Sequence, residues 1–301
     1  MRELNDNLPR LLDIKNDFVF KLVFGDPNNK GVLISFLNAV LHNNPHIVDV
    51  QILNNELPKL VKTGLAVRFD IKAKISNNTF VDIEIQCRNT YDIPERSIQY
   101  IARMLSENAT NDTRDYHYPK VIGIWVLGQN VTNRKSAISE AYMTFKQNDR
   151  DDYNIMSDKA RILFIELKKF KPKSIDKQHM LDAWLSFLQN PANQDVQNID
   201  KNIEKAYEIL NFVSSDERTR EELILLEESR LDAESEKTNR ERIAEERGVQ
   251  KGLQQGLQKG IEKGIEKGIE QGKEEERRKN AIVVAKKFGI SVEEAENLLK
   301  K

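Results

Sequence analysis

Hydrophobic and polar residues alternate strictly along two short stretches that flank residue 77. Residues 67–75 place an apolar side chain at every second position, and so do residues 81–86. Alternation with period two predicts β-strands, and the Asn77-Asn78 dipeptide between them predicts a tight turn. We therefore expect a β-hairpin in which each strand has one apolar and one polar face.

The apolar pattern also predicts how the two strands pair, because a shift of one residue would turn every side chain to the other face. A simple two-residue turn would pair polar with apolar positions, so a three-residue or bulged loop is favoured. The resulting register pairs Phe69 with Ile85, Asp70 with Glu84, Ile71 with Ile83, Lys72 with Asp82, and Ala73 with Val81. Directly opposed residues of an antiparallel pair have Cβ atoms about 5 Å apart.

The opposed carboxylates of Asp70 and Glu84 form a first candidate functional site. Like charges that face each other are unfavourable unless a counter-charge neutralises them. A divalent cation such as Mg²⁺, which takes a few oxygen ligands and keeps several waters, would do so. The alternative is a solvated strand face on which Arg68, Lys72 and Lys74 screen the pair. The residues alone leave both interpretations open.

The remainder of the first 195 residues combines helix and strand patterns. Helices are predicted at residues 13–42, 94–109 and 175–189. Strands are predicted, besides the hairpin, at residues 46–53, 120–127 and 160–167. Asp26 and Pro27 predict that a second helix starts within the first helical region. This order of elements predicts an α/β fold in which helices cover a mixed sheet.

Beyond residue 195 the strand patterns stop, and residues 196–247 form a charged stretch with helical periodicity. Glycine then recurs at every fourth position from Gly248 to Gly272, and each glycine except the last precedes Val, Leu or Ile. On a helix these residues would form two adjacent stripes that permit close contact with another helix. Glycine costs about 1 kcal/mol relative to alanine in a helix, which favours a flexible tether instead. Both interpretations remain open for residues 248–272.

The last segment, residues 273–301, predicts a pair of helices. Gly289 can end the first helix, and Ser291 with Glu294 forms a capping box that can start the second. We therefore expect a globular domain at residues 1–195, followed by the charged helical region, the glycine repeat and this terminal pair.

Composition narrows the class of protein. The formal net charge of −1 does not indicate a strongly basic surface for nucleic acid, although it does not exclude a local basic patch. Cys87 is the single cysteine, which excludes an internal disulfide and a cysteine-rich zinc site. The four histidines lack metal-ligand spacing. Because no run of about 18 apolar residues occurs, we expect a cytoplasmic protein without a membrane span.

Several segments resemble, in their order along the chain, the recombination-promoting nuclease (Rpn)/putative transposase family of the PD-(D/E)XK nuclease superfamily. These segments are NDFVFKLVFGD at residues 16–26, LISFLNAVL at 33–41, FDIKAKI at 69–75, VDIEIQ at 81–86, ERSIQYIARML at 95–105 and YPKVIGIWVL at 118–127. The glycine repeat and the terminal helix pair resemble that family's C-terminal extension. The resemblance implies a PD-(D/E)XK-like mixed central β-sheet flanked by helices, with an all-helical C-terminal extension.

The resemblance also implies hydrolysis of DNA phosphodiester bonds with Mg²⁺ or Mn²⁺. By position, Asp70 and Glu84 would bind the metal through their carboxylates, and Ile85 would bind it through its backbone carbonyl. Gln86 stands where the superfamily has its catalytic lysine. An amide can position a water but carries no positive charge, so the metal would supply most of the activation of that water.

Five further residues receive possible roles, each with a structural alternative. Asp17 could orient a metal-bound water or could only add negative charge at a helix N-terminus. Lys72 could partly replace the missing lysine or could be solvated strand charge. Arg96, Tyr100 and Arg103 lie on one side of the predicted helix and could grip DNA phosphates. The alternative for them is a structural arginine with a packed tyrosine.

Two functions from different classes follow. The first is a metal-dependent DNA endonuclease connected with mobile elements or recombination. The second is a catalytically weak or inactive nuclease fold that acts as an oligomeric DNA-binding or interaction module. DNA is the expected partner, and we expect a homo-oligomer formed through the C-terminal helical region.

Overall fold

A computed structural model describes residues 11–53, 70–75, 78–87, 92–112, 115–146 and 153–299. The helices are α1 (Asp17–Phe24), α2 (Lys30–Val40), α3 (Ile93–Glu107), α4 (Met180–Gln189), α5 (Gln194–Gln197), α6 (Lys201–Ser215), α7 (Glu217–Phe288) and α8 (Val292–Leu298). The strands are β1 (Val50–Ile52), β2 (Ile71–Ile75), β3 (Thr79–Gln86), β4 (Thr110–Asp112), β5 (Asp115–His117), β6 (Lys120–Leu127), β7 (Ile138–Lys146) and β8 (Tyr153–Glu166).

A six-stranded mixed sheet lies at the centre of the fold, in the order β1-β2-β3-β6-β8-β7. Strands β3, β6 and β8 run parallel in its middle, whereas β1, β2 and β7 pair antiparallel on the two sides. Strand β6 is apolar along almost its whole length because both of its faces are buried. Strands β4 and β5 form a separate hairpin. The α/β fold with a mixed, helix-covered sheet that the sequence predicts is confirmed.

The β2–β3 hairpin has the register predicted from its apolar pattern. Its pairs include Ile71 with Ile83, Lys72 with Asp82, Ala73 with Val81, and Ile75 with Thr79. Three residues separate the paired Ile75 and Thr79 in the sequence, and the last of them, Asn78, has a φ of 54°. Such a left-handed residue is typical of three-residue hairpin loops. Phe69, which the same register would pair with Ile85, lies outside the described residues.

The two faces of the sheet bury different kinds of side chain. The apolar residues of β2, β3 and β6 on one face join α1, α2, α4 and α6 in the main hydrophobic core. The other face carries smaller apolar clusters under α3, built around Phe80, Ile101 and Trp125. Because side chains alternate along a strand, Asp82 and Glu84 lie on the face that α3 covers.

The predicted strand at residues 46–53 is shorter than the sequence indicates, since β1 begins only at Val50. The side chain of Asn38 donates to the carbonyl of Ile47 and accepts from its N–H, both at 2.8 Å. These two bonds use the backbone groups that Ile47 would otherwise offer to a neighbouring strand, so the sheet starts later.

The predicted helix at residues 175–189 begins only at Met180. The carboxylate of Asp176 accepts hydrogen bonds from the backbone N–H groups of Gln178 and His179. A side chain that binds nearby backbone in this way stabilises a turn in place of the first helical turn.

Strand β7 was not predicted, and β8 is longer than the predicted strand at residues 160–167. Within the described strands, β7 lies at the edge of the sheet and pairs with β8 alone. An edge strand can keep polar residues on both faces, so its sequence shows no clear alternation.

The chain divides into two compact units, Met1–Arg230 and Leu231–Lys301. In the first unit, Ile203 and Leu210 of α6 and Leu226 of α7 are buried in the main core. Residues that the sequence pattern groups with a charged helical region therefore pack against the domain that contains the sheet. Helices α6 and α7 are separated at Asp216, whose carboxylate accepts hydrogen bonds from the N–H and hydroxyl of Thr219 and caps α7.

In the second unit, the glycine repeat is helical and forms part of α7, so the helical interpretation is the one that the structure supports. Gly289, with a φ of 69°, ends α7, and the Ser291–Glu294 capping box starts α8. None of the described helices combines the length and apolarity that crossing a membrane would need.

Gly128 lies in close contact with the backbone at the end of β3. Its N–H donates to the carbonyl of Gln86 at 3.0 Å, and a Cβ atom at Gly128 would lie 2.7 Å from the Cα and carbonyl oxygen of Cys87. We expect Gly128→Ala to displace this segment and lower the free energy of unfolding by about 1–3 kcal/mol. Urea denaturation followed by the fluorescence of the buried Trp125 and Trp184 measures the change.

The matched control is Gly256→Ala, because nothing lies within 4 Å of the position its Cβ would occupy. This variant should leave the tryptophan-monitored transition unchanged. If Gly128→Ala also left it unchanged, the close approach of Gly128 to Cys87 would be contradicted.

Candidate metal centre

Three carboxylates converge on the α3-facing side of the β2–β3 hairpin. Asp70, Asp82 and Glu84 each offer one oxygen, and these oxygens all lie within 4.8 Å of one another. Asp82 and Glu84 are 1% and 7% exposed, and the side chain of Asp70 is 15% exposed. The structure therefore brings together the two carboxylates that the sequence singles out. It adds Asp82, which the sequence did not single out as a site residue.

Strand β6 makes room for this cluster. β3 and β6 pair in parallel so that Gly123 lies beside Asp82 and Trp125 lies beside Glu84. Gly123 has no side chain, and a Cβ atom there would lie only 3.1 Å from Cδ1 of Ile101 on α3. The glycine thus lets α3 lie close to the sheet next to Asp82, which helps to shield that carboxylate from water.

Asp82 lies in an environment that opposes its ionisation. Both of its carboxylate oxygens are buried and lack a hydrogen-bond partner among the residues that the structure describes. Burial raises the pKa of Asp82 well above its usual value, and the nearby carboxylates of Glu84 and Asp70 raise it further, whereas Lys72 lowers it. Burying a carboxylate without hydrogen bonds destabilises the folded protein, and a bound cation would offset this destabilisation.

Glu166, at the end of β8, shows how this fold satisfies a buried carboxylate that has a structural role. It is 0% exposed, and it accepts hydrogen bonds from the backbone of Val131, from the backbone and hydroxyl of Thr132, and from Nζ of Lys169 at 2.8 Å. Burial alone would raise the pKa of Glu166, but these hydrogen bonds outweigh it and leave the pKa below its usual value. Asp82 is comparably buried without such bonds, which marks it as a candidate functional group.

Cationic groups approach the cluster at its more exposed member, Asp70. Nζ of Lys72 lies 3.8 Å from Oδ2 of Asp70. Arg103 on α3 is exposed and donates to Glu107 at 2.6 Å. That hydrogen bond raises the pKa of Arg103, and the carboxylate of Asp70 adds a smaller contribution.

Helix α3 also holds Arg96 and Tyr100 next to Trp125, the β6 neighbour of Glu84. The guanidinium of Arg96 lies 5.5 Å from the ring centroid of Trp125 and 6.0 Å from that of Tyr100, and the two rings meet edge-on at 5.5 Å. Nε of Arg96 is buried and makes no hydrogen bond within the described part of the chain. Cation–π contacts on two rings hold this arginine beside Trp125, the residue that is paired with Glu84 in the sheet.

The sequence also singles out Asp17, Gln86 and Ile85 for the metal site. Asp17 is not one of the three converging carboxylates, and it accepts two hydrogen bonds from Nη2 of Arg230, at 2.7 and 2.9 Å. Gln86 follows Glu84 on the same face of β3 and is partly exposed. The side chain of Ile85 is buried in the main core, so only its backbone could serve the site. The functional roles of these residues, and of Arg96, Tyr100 and Arg103, remain predictions.

The donor set suits a hard divalent cation. Three carboxylates with oxygens within 4.8 Å of one another, one of them lacking hydrogen bonds in the described structure, match the oxygen preference of Mg²⁺ and Mn²⁺. The alternation of β3 already places Asp82 on the face of Glu84. The sequence places Asp82 opposite Lys72 in the strand register, but it could not show that α3 buries this face.

Comparison with known proteins identifies a family. A family model described as PD-(D/E)XK nuclease family transposase matches residues 14–240, which include the whole sheet, the carboxylate cluster and the first part of α7. This match confirms the resemblance inferred from the ordered motifs. No curated protein and no solved structure matches the chain.

The raised pKa of Asp82 predicts a pH dependence of stability. The unfolded chain ionises Asp82 above about pH 4, whereas the folded protein resists this ionisation. Metal-free wild type should therefore lose stability as the pH rises from about 4 towards neutral, and Asp82→Asn should lose less. Near neutral pH in EDTA, the free energy of unfolding of Asp82→Asn should exceed that of wild type by on the order of 1–3 kcal/mol in urea denaturation.

Asp49→Asn is the control, because Asp49 is exposed and its ion pair with Lys30 lies outside the cluster. Asp49→Asn should not raise the free energy of unfolding near neutral pH as Asp82→Asn does. A wild-type protein that equals or exceeds Asp82→Asn in stability near neutral pH would contradict the environment described for Asp82.

Proposed function

Because the chain belongs to the PD-(D/E)XK nuclease family transposases, we propose that it is a DNA endonuclease that hydrolyses phosphodiester bonds with Mg²⁺ or Mn²⁺. Membership of this family supports a nuclease-type function. The observation that carries the proposal is the convergence of Asp70, Asp82 and Glu84 in a largely buried cluster. Hydrolysis of DNA with a divalent cation needs such a set of oxygen ligands.

The residues of the cluster would each supply an oxygen ligand to the cation. Asp70 and Glu84 would hold the cation through their carboxylates and Ile85 through its backbone carbonyl, and Asp82 would supply a further oxygen. When bound, a divalent cation lowers the pKa of a coordinated water and neutralises charge on the phosphate. The strand backbone fixes the spacing of the carboxylates, and burial keeps Asp82 and Glu84 away from bulk water. Little reorganisation is then needed when the cation binds.

Gln86 and Lys72 would act at the edge of this cluster. The Gln86 amide can orient a water through hydrogen bonds but cannot stabilise negative charge as an ammonium does. Nζ of Lys72 lies 3.8 Å from Oδ2 of Asp70, and this ammonium would hold the Asp70 carboxylate in place. Asp17 would have an accessory role only if its ion pair with Arg230 opens.

Arg96 would bind the DNA backbone. Its guanidinium is held by the rings of Trp125 and Tyr100, next to the strand position that carries Glu84. A guanidinium recognises phosphate through a fork of donors, and such contacts position DNA without reading its sequence. Arg103, exposed on the same helix, would add to the positive potential along the substrate path.

A plasmid-cleavage assay tests this function. Wild type should nick or cut DNA with Mg²⁺ and should be inactive with EDTA. Asp70→Ala and Glu84→Ala should each lower kcat by about 10³-fold or more, because each removes a ligand of the activating cation. Arg96→Gln should mainly raise KM, because it removes a phosphate contact. Asp158→Ala, which removes an exposed carboxylate paired with Lys120, is the matched control and should cleave as wild type does.

Two outcomes would change the conclusion. Cleavage that survives both Asp70→Ala and Glu84→Ala would remove this assignment of the site. DNA binding without cleavage, equal in Mg²⁺ and EDTA, would favour the second candidate function, an inactive nuclease fold that serves as a DNA-binding module.

Self-association through α7 is a further part of the proposal. The aliphatic residues beside the glycines form a stripe along α7, and each of them is between 54% and 75% exposed. They are Val249, Leu253, Leu257, Ile261, Ile265 and Ile269. Nothing lies within 4 Å of the position that a Cβ atom would take at any glycine from Gly248 to Gly272. Adjacent small and aliphatic stripes fit the surface of a second helix, and a second copy of this chain offers the same stripes.

The full-length double variant Leu257→Glu, Ile261→Glu places charge in the centre of this stripe. Light scattering should show a lower mass than for wild type, because charged side chains would be buried at the contact. Gln258→Glu adds a similar charge outside the stripe and should keep the wild-type mass. Equal masses for all three proteins would contradict self-association through the stripe.

A further inference from the structure

A surface cavity of about 450 Å³ lies at the β7 edge of the sheet, and we call it the edge cavity. Phe164 of β8 and Ser139 and Ala141 of β7 line it from the sheet, and Arg134 lines it from the loop between β6 and β7. Phe164 belongs to the same apolar cluster as Trp125, which lies under α3. The edge cavity therefore opens on the face of the sheet that carries Asp82 and Glu84.

The strand register gives the distance between the edge cavity and the carboxylate cluster. Glu84 on β3 pairs with Trp125 on β6, and Trp125 pairs with Phe164 on β8. Phe164 pairs in turn with Ser139 on β7. Neighbouring strands lie about 4.8 Å apart, so the three steps from Glu84 to Ser139 span about 14 Å. Each strand of a DNA duplex carries one phosphate per 3.4 Å of its axis, so one duplex can reach both places.

The buried carboxylate of Glu166 holds the loop that carries Arg134. It accepts hydrogen bonds from the backbone N–H of Val131 at 2.6 Å and from that of Thr132 at 3.0 Å. Nζ of Lys169 pairs with this carboxylate and donates to the carbonyl of Thr132 at 2.6 Å. These bonds fix the backbone two residues before Arg134, so its guanidinium extends from a well-supported position.

The charges around the edge cavity favour an anion. Arg134 is exposed, and its guanidinium pairs with no carboxylate in the part of the chain that the structure describes. Glu140 also lines the cavity, but its carboxylate already accepts from Nη2 of Arg161 at 2.6 Å and from the hydroxyl of Tyr142 at 2.5 Å. The buried hydroxyl of Ser139 makes no hydrogen bond to another described residue. A cation beside a spare hydroxyl donor suits an anionic oxygen.

We propose that the edge cavity is a second site for the DNA backbone, in which Arg134 binds a phosphate about 14 Å from the carboxylate cluster. This inference rests on the proposed function, because it concerns DNA that is bound at the cluster.

A contact at Arg134 has a consequence for how DNA lies on the protein. A guanidinium offers phosphate a fork of N–H donors, and such a contact positions DNA without reading its sequence. Together with the contact proposed for Arg96, it gives the DNA two fixed points on one face of the sheet. Two fixed points set the direction of the duplex, which crosses the sheet from β3 towards β7.

The experiment measures DNA binding by the full-length protein apart from cleavage. Fluorescence anisotropy of a short fluorescein-labelled duplex gives Kd with Ca²⁺ at several salt concentrations, and a gel checks that the duplex stays intact. The slope of log Kd against log salt concentration counts phosphate contacts, since each contributes about 0.9. Wild type is compared with Arg134→Gln, Arg134→Lys and Lys135→Gln. Lys135→Gln is the matched control, because Lys135 is the exposed neighbour of Arg134 but is not part of the cavity lining.

Arg134→Gln should raise Kd about tenfold and lower the salt slope by about 1, because one charged phosphate contact is lost. Arg134→Lys should keep the wild-type slope with an intermediate Kd, since lysine keeps the charge but not the fork of donors. Lys135→Gln should leave Kd and slope unchanged. Arg134→Gln should also keep the wild-type kcat at saturating DNA and the wild-type melting curve in circular dichroism, because Arg134 is exposed and lies outside the metal ligands.

An Arg134→Gln variant with the wild-type Kd and salt slope would overturn the inference, and so would a wild type that does not bind the duplex. Equal losses for Arg134→Gln and Lys135→Gln would overturn it as well, because they would indicate a general attraction of the loop to DNA. Failure of the proposed function has a different signature. Wild type would then bind the duplex in a way that depends on Arg134, which supports the second backbone site, but would not cleave DNA with Mg²⁺.

Discussion

The register between β2 and β3 is the constraint on which the candidate site depends. The aliphatic residues of these strands are buried in the main core, and each contributes roughly 1.5–3 kcal/mol when fully buried. A slip of one residue would move them to the other face and turn Asp82 and Glu84 into that core. The carboxylates therefore converge because burial on the opposite face fixes the strands. Their mutual repulsion is smaller than the cost of changing that register.

Helix α3 turns this convergence into a buried cluster. The backbone of β3 sets the spacing of Asp82 and Glu84, while Gly123 on β6 leaves space for the helix to approach. The same fold provides four hydrogen bonds for the buried carboxylate of Glu166, so an unsatisfied carboxylate is not a general property of this protein. Concentrating unsatisfied charge at one place is typical of sites that bind an ion or perform chemistry.

The parts of the fold that periodicity controls could be predicted from the sequence. The hairpin register, the apolar strand β6 and the capping box at Ser291 each follow from a local pattern. The parts that depend on long-range contacts could not. The bonds from Asn38 that shorten β1, and the ion pair between Asp17 and Arg230, connect residues whose proximity no local pattern shows. Asp82 belongs to this second group, since its burial depends on α3.

The central claim is that Asp70, Asp82 and Glu84 together hold a divalent cation. Anomalous diffraction from crystals of the full-length protein grown with Mn²⁺ tests it most directly, because it locates the ion without any assumption about activity. We predict an anomalous peak at about 2.0–2.6 Å from an oxygen of each of these three carboxylates. A fully occupied Mn²⁺ site elsewhere on the protein, with no peak at the cluster, would contradict it.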